Sequence, residues 1–198
     1  MENMERKAVI ERNTNETKIR ISIDLDGSGK RSIHTGVGFF DHMLDGFARH
    51  GLFDLEVDCQ GDLEVDCHHT IEDIGIALGE AIGKAVGDKR GISRYGHCLL
   101  PMDEALVLCA VDLGGRPYLV FDADFSDSKC GDMDTQMVRE FFYAVSYSAR
   151  MNIHLKEIYG KNDHHIMEAI FKAFARSLRF ACEKDDRVTG IPSTKGVL

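Results

Sequence analysis

The chain of 198 residues has no tryptophan, three prolines and six cysteines. The cysteines stand at 59, 67, 98, 109, 130 and 182 and form no CxxC pair. Neither a thiolate zinc site nor a dense disulfide framework is expected, and they read as reduced thiols of the cytoplasm. Basic residues are also scarce: Lys plus Arg is 24 against 33 Asp plus Glu, a formal charge of -9. An acidic balance with no basic block argues against nucleic acid or an anionic membrane as the main partner. No apolar run approaches the roughly 20 residues of a membrane span. Met1 to Asn13 is charged where a signal peptide needs an apolar stretch. Hydrophobic residues at 43% and charged residues at 29% fit a soluble globular protein with a sizeable core. Histidine is what the chain has in excess: nine, most of them beside acidic residues.

The chain is an internal repeat. His68-His69-Thr70-Ile71-Glu72 recurs as His164-His165-Ile166-Met167-Glu168, and Ile74 and Leu78 correspond to Ile170 and Phe174. Upstream, Glu16 precedes Asp24 by the same eight residues that separate Glu104 from Asp112. Two copies make a duplication rather than a solenoid. Period-2 alternation predicts strands at Lys18 to Leu25, Arg31 to Thr35 and Phe53 to Cys59, then Leu106 to Asp112, Pro117 to Phe121 and Ile153 to Ile158. Helical spacing predicts helices at Phe39 to His50, His68 to Val86, Met137 to Met151 and His164 to Cys182. Asp122 to Asp134 reads as an exposed loop, Gly87 to Gly96 as a linker, and Gly190 to Leu198 as a tail without an element. The expected fold is α+β with two pseudo-symmetric halves, residues 1–90 and 91–198, each a small mixed sheet with two helices.

HHxxE at a helix start is a metal-ligand pattern. The first His and the Glu are four apart and share a face, while adjacent His side chains point about 100° apart. The simplest solution gives each His of a pair a different ion, so two copies make two sites. Imidazole and carboxylate without thiolate suit Mn, Zn or Fe. A single HHxxE could equally cap a helix or sit in a core; two at matching positions of a repeat make that reading weak. His42, 26 residues before His68, and Glu140, 24 before His164, each begin an amphipathic helix and are candidate equivalent ligands. A Glu in a first helical turn also serves as a dipole partner. Cys67 reads as packing, because the repeat has Asp163 there. Ser193-Thr194-Lys195-Gly196 offers hydroxyls, backbone N–H groups and an ammonium, a composition that can hold a phosphate or simply be solvated.

These residues carry a resemblance to the imidazoleglycerol-phosphate dehydratase family over essentially the whole length. The segments are Arg12 to Thr17, Gly38 to Leu44 with Asp41-His42, His68 to Asp73, Asp103-Glu104-Ala105, Gly160 to Glu168, Phe171 to Phe174, and Pro192 to Gly196. The resemblance implies a lyase of the sixth step of histidine biosynthesis. It would dehydrate imidazole glycerol phosphate to imidazole acetol phosphate, with metal ions binding and ionising the ring. It implies two Mn ions per active site, with His42, His68, His69, Glu72, Glu140, His164, His165 and Glu168 as ligands. Many members carry His where this chain has Glu140. Glu16 is the implied substrate contact and first acid–base candidate, with Glu72 and Glu168 as ligands able to share that role. His42 and His50 would also contact substrate. Arg94, Arg116, Ser193, Thr194 and Lys195, with Lys172, would hold the phosphate. The implied partners are that small-molecule phosphate and further copies of the chain, in a 24-subunit octahedral homo-oligomer with active sites between subunits. Two other classes use similar residues: a dinuclear metallohydrolase, and a metal-buffering assembly protein with no role for Arg94, Arg116 or Lys195.

Overall fold

Apolar alternation runs through every long strand of the computed structural model, which describes residues 5–198. The reading of Met1 to Asn13 lies, for residues 1–4, outside the described residues. The first half comprises β1 (Lys7–Asn13), β2 (Thr17–Asp24), β3 (Arg31–His34), α1 (Gly38–Gly51), β4 (Asp54–Gly61) and α2 (His68–Val86). The second comprises β5 (Tyr95–Met102), β6 (Ala105–Asp112), β7 (Tyr118–Asp122), β8 (Lys129–Cys130), β9 (Met133–Asp134), α3 (Met137–Ala149), β10 (Asn152–Tyr159) and α4 (Asp163–Cys182). Ile19, Ile21 and Ile23 of β2 are buried, as are Val107, Cys109 and Val111 of β6. Their intervening residues face outward, which fixes the register of each strand.

The duplication holds at the level of topology. One sheet has the order β1-β2-β4-β3 and the other β5-β6-β10-β7. Each is antiparallel except for its last pair, where β3 runs parallel to β4 and β7 parallel to β10. Asp24 pairs with Asp54 and Asp112 with Asn152, so Leu55 and Ile153 are equivalent. Two residues before those partners, Leu52 and Arg150 end α1 and α3 in the left-handed conformation. Ten residues further back stand His42 and Glu140, which makes them structural counterparts.

The helices lie between the sheets. α1 and α2 cover the first sheet, α3 and α4 the second, and they meet crosswise, α1 on α4 and α2 on α3. Phe40, Phe141, Phe142, Phe171 and Phe174 join where both halves meet, with ring centroids 5.0 to 6.4 Å apart. All five are essentially inaccessible. Each buried Phe contributes about 1.5–3 kcal/mol, so the halves share one core. α2 approaches α3 along Gly75 and Gly79, where an added Cβ would lie 2.9 and 2.8 Å from the carbonyl oxygens of Phe141 and Val145.

Three features depart from the sequence reading. β1 and β5, equivalent edge strands, were not expected; β1 is masked by its charged outward residues and β5 by Gly96 and Pro101, which an edge strand tolerates. The linker therefore ends earlier, because β5 starts at Tyr95. The expected loop Asp122 to Asp134 contains the short β8–β9 hairpin. Among the described residues no helix is long and apolar enough to cross a membrane.

Candidate functional site

α4 begins where the Asn162 side chain accepts hydrogen bonds from the N–H groups of His164 at 3.0 Å and His165 at 3.4 Å. This cap fixes the first turn, and the four-residue spacing puts His164 and Glu168 on one face. His164 Nε2 is 3.4 Å from Glu168 Oε2. α1, crossing α4, brings His42 Nε2 to 3.9 Å from the same oxygen. The donor atoms of His42, His164 and Glu168 all lie within 4.8 Å of one another, the one such trio among the described residues. Phe39 sets its edge against the His164 ring at 5.0 Å. Two imidazoles and a carboxylate on rigid helices form a donor set that fits a divalent ion such as Mn, Zn or Fe.

Glu168 is also held by Lys172, whose Nζ is 2.6 Å from Oε1, with both side chains largely buried. Burial pushes the Glu168 carboxyl up, but the Lys172 ammonium, with His42 and His164, holds it below the usual carboxylate range. Lys172 thus sits beside the trio and not with the other residues expected at a phosphate. His50 ends α1 near Lys172 and Arg176; burial and those two cations push its pKa down.

In the first half, α2 starts with the His68 N–H donating to Asp66 at 2.7 Å. His68 Nε2 lies 3.9 Å from Glu72 Oε2 on the same helix. Glu140, the counterpart of His42, pairs with Arg139 at 3.1 Å and is not drawn into a trio. The second His of each pair turns away from the first, with ring planes 74° and 75° apart. His69 Nδ1 is 2.9 Å from Asp62 and its Nε2 is 3.7 Å from Glu16. His165 Nδ1 is 2.7 Å from Glu104 and its Nε2 is 3.5 Å from Asp103. Asp62 pushes the His69 pKa up and Glu104 does the same for His165. The His165 contact, with the N–H of Asn162, holds the Glu104 carboxyl at about 2. The sequence reading missed Asp62 and used Glu104 as a repeat marker and as part of a resemblance segment, without giving it a role in the site.

A second cavity, of about 720 Å³, brings together Arg94, Arg116, Ser193, Thr194 and Lys195. Arg94 is pre-set there: its guanidinium donates to Asp112 at 2.7 and 3.1 Å and to the Pro192 carbonyl at 2.8 Å. It also lies 4.6 Å over the Tyr95 ring. The pocket joins the scaffold at the far end of α4, where the Arg94 N–H donates to Ala181 O at 2.9 Å. Ala181 is thirteen residues beyond Glu168, about 20 Å along a helix.

The chain is thus a duplicated α+β sandwich that carries a histidine–carboxylate trio and, apart from it, a basic pocket lined with hydroxyls. The family model for imidazoleglycerol-phosphate dehydratase matches residues 35–178. The imidazoleglycerol-phosphate dehydratase of Acetivibrio thermocellus is 60% identical over 195 residues, covering 98% of this chain and 100% of that protein. The one from Lachnoclostridium phytofermentans is 56% identical with the same coverage. The crystal structure of the Staphylococcus aureus dehydratase superposes with a TM-score of 0.82 at 42% identity, covering 90% of this chain and 99% of that one. That from Pyrococcus furiosus gives 0.81 at 37% identity, with 96% and 100% covered. The chain belongs to the imidazoleglycerol-phosphate dehydratase family.

Proposed function

We propose that this protein is a hydro-lyase that converts imidazole glycerol phosphate to imidazole acetol phosphate and water, the sixth step of histidine biosynthesis. Family membership gives the reaction class, and one observation carries the finer reading: an imidazole–carboxylate trio and a cationic pocket with hydroxyls occur in the same chain. The substrate has one group for each, a ring with two nitrogens and a phosphate.

Arg116, Lys195, Ser193 and Thr194 hold the phosphate, with Arg94 braced by Asp112 as a fixed donor. His42, His164 and Glu168 would hold one divalent ion and His68, Glu72 and Glu140 a second, while His69 and His165 would each serve the ion that the first His of its pair does not; Mn fits these donors. Such ions would supply Lewis acidity to a bound imidazole ring, helping it to accept electron density. Glu16 moves protons: the hydroxyl on the ring-attached carbon leaves as water, the neighbouring carbon gives up its C–H proton, and the enol tautomerises to the ketone. Its carboxylate is exposed and 3.7 Å from His69, within reach of a ring bound there. No redox step occurs, so no hydride acceptor is required.

The 20 Å along α4 exceeds the length of a three-carbon phosphate on an imidazole ring. One chain therefore does not offer both ends to one substrate, which supports active sites between subunits of a homo-oligomer, with 24 subunits in octahedral symmetry as the family resemblance implies. The deciding experiment is loss of imidazole glycerol phosphate with and without Mn. Turnover that needs Mn supports the reading. Absence of turnover in Mn-loaded protein, or hydrolysis releasing free phosphate, overturns it.

A further inference from the structure

We infer that Asp62 and Glu104 are positioning residues that fix the ring tautomer of His69 and His165, turning a bare Nε2 outward in each half. The inference rests on the proposed reading in one respect only, that those nitrogens then meet a metal ion.

A carboxylate only accepts hydrogen bonds, so the neutral ring must carry its proton on the nitrogen that faces it. Asp62 Oδ2 lies 2.9 Å from His69 Nδ1, and Glu104 Oε2 lies 2.7 Å from His165 Nδ1. Both rings are therefore held as the Nδ1–H form, the opposite of what a free histidine side chain prefers in water. Ligand histidines are commonly fixed in this way by an acceptor on the other nitrogen. On the open side, the charged partner of Nε2 among the described residues is Glu16 at 3.7 Å in the first half and Asp103 at 3.5 Å in the second.

The two acceptors are not repeat counterparts. Asp62 follows β4, whereas Glu104 precedes β6. Glu16, the sequence counterpart of Glu104, instead faces the outward nitrogen of His69. The two halves thus reach one ring geometry from different loops, so the geometry is not a by-product of copied sequence. Each acceptor is held in a manner that packing alone does not explain. Among the described residues, Asp62 Oδ1 is buried with no hydrogen-bond partner while Oδ2 serves the ring. Glu104 is braced by the N–H groups of Asn162 at 2.8 Å and Lys161 at 3.3 Å. The same Asn162 caps the helix that carries His165.

The test is ring-nitrogen NMR of the metal-free full chain at alkaline pH, where neutral tautomers are read directly. His69 and His165 are expected in the Nδ1–H form. Asp62→Ala should move His69 alone to the Nε2–H form, and Glu104→Ala His165 alone. Asp62→Asn and Glu104→Gln keep an acceptor oxygen and should restore much of the original tautomer. In the same alanine variants, Mn affinity measured by calorimetry should fall about 10- to 100-fold. Wild-type rings in the Nε2–H form, or tautomers unmoved by the alanine changes, overturn the inference. Tautomers that move while Mn affinity stays constant uphold it and instead remove His69 and His165 from the ligand set. If Glu104→Ala loses the α4 cap and unfolds, the Asp62 variants decide.

Discussion

Three glycines on one face of α2 should respond to the same substitution with opposite signs. Gly75, Gly79 and Gly83 are four residues apart, so they form one stripe facing α3. At Gly79 a Cβ would lie 2.8 Å from both Val145 O and Ser148 Cβ; at Gly83 its nearest neighbour is Ala149 Cα at 3.6 Å. Gly→Ala in a helix gains up to about 1 kcal/mol of intrinsic preference. Nothing opposes that gain at Gly83, so Gly83→Ala should stabilise by about 0.5–1 kcal/mol. At Gly79 the α3 backbone must retreat by roughly 0.6 Å to reach ordinary contact, an overpacking cost of about 1–3 kcal/mol. The net for Gly79→Ala is then a loss of about 0–2 kcal/mol, and Gly75→Ala should behave alike. Because one retreat of α3 relieves both clashes, the double variant should cost less than the sum. Urea unfolding with unchanged m gives the comparison. On the proposed reading, in which Glu140 shares an ion with His68 and Glu72 of α2, a retreat of α3 also carries Glu140 away, and Gly79→Ala should lower metal content where Gly83→Ala does not. Equal shifts of the same sign at Gly79 and Gly83 would refute the close-approach argument.

Other perturbations separate the two pockets. Lys195→Ala should weaken substrate binding by about 1.5–3 kcal/mol, read as a higher KM, with metal content and thermal stability near wild type. Chelation should abolish activity and reduce oligomer size in light scattering, because ligand binding free energy becomes association free energy when copies share a site. His50 has a folded pKa pushed below 6.5 by burial, Lys172 and Arg176. Below pH 6.5 the unfolded chain takes up this proton first, so stability falls as pH drops; His50→Gln should flatten that part of a urea-midpoint profile against pH.

Much of the molecule is written in short windows of sequence. Period-2 and period-3.6 patterns locate all four helices and six strands, and the repeated HHxxE with its flanks declares the duplication that the two identical sheet orders display. His42 and Glu140 can even be matched by counting, because α1 and α3 end on equivalent left-handed residues. These features are local: a helix face or a strand face is decided by residues within a few positions of one another. β1 and β5 escape such reading because β1 carries charge on its outward face and β5 is interrupted by Gly96, which packs against α4, and by Pro101. Tertiary structure alone decides which distant surfaces meet. The crosswise packing of α1 on α4 gives His42 to His164 and Glu168 of the opposite half. Within the second half, the turn before β6 likewise brings Glu104 onto the ring of His165, 61 residues away. Such contacts depend on the shape of packed faces tens of residues apart, and no periodicity encodes them.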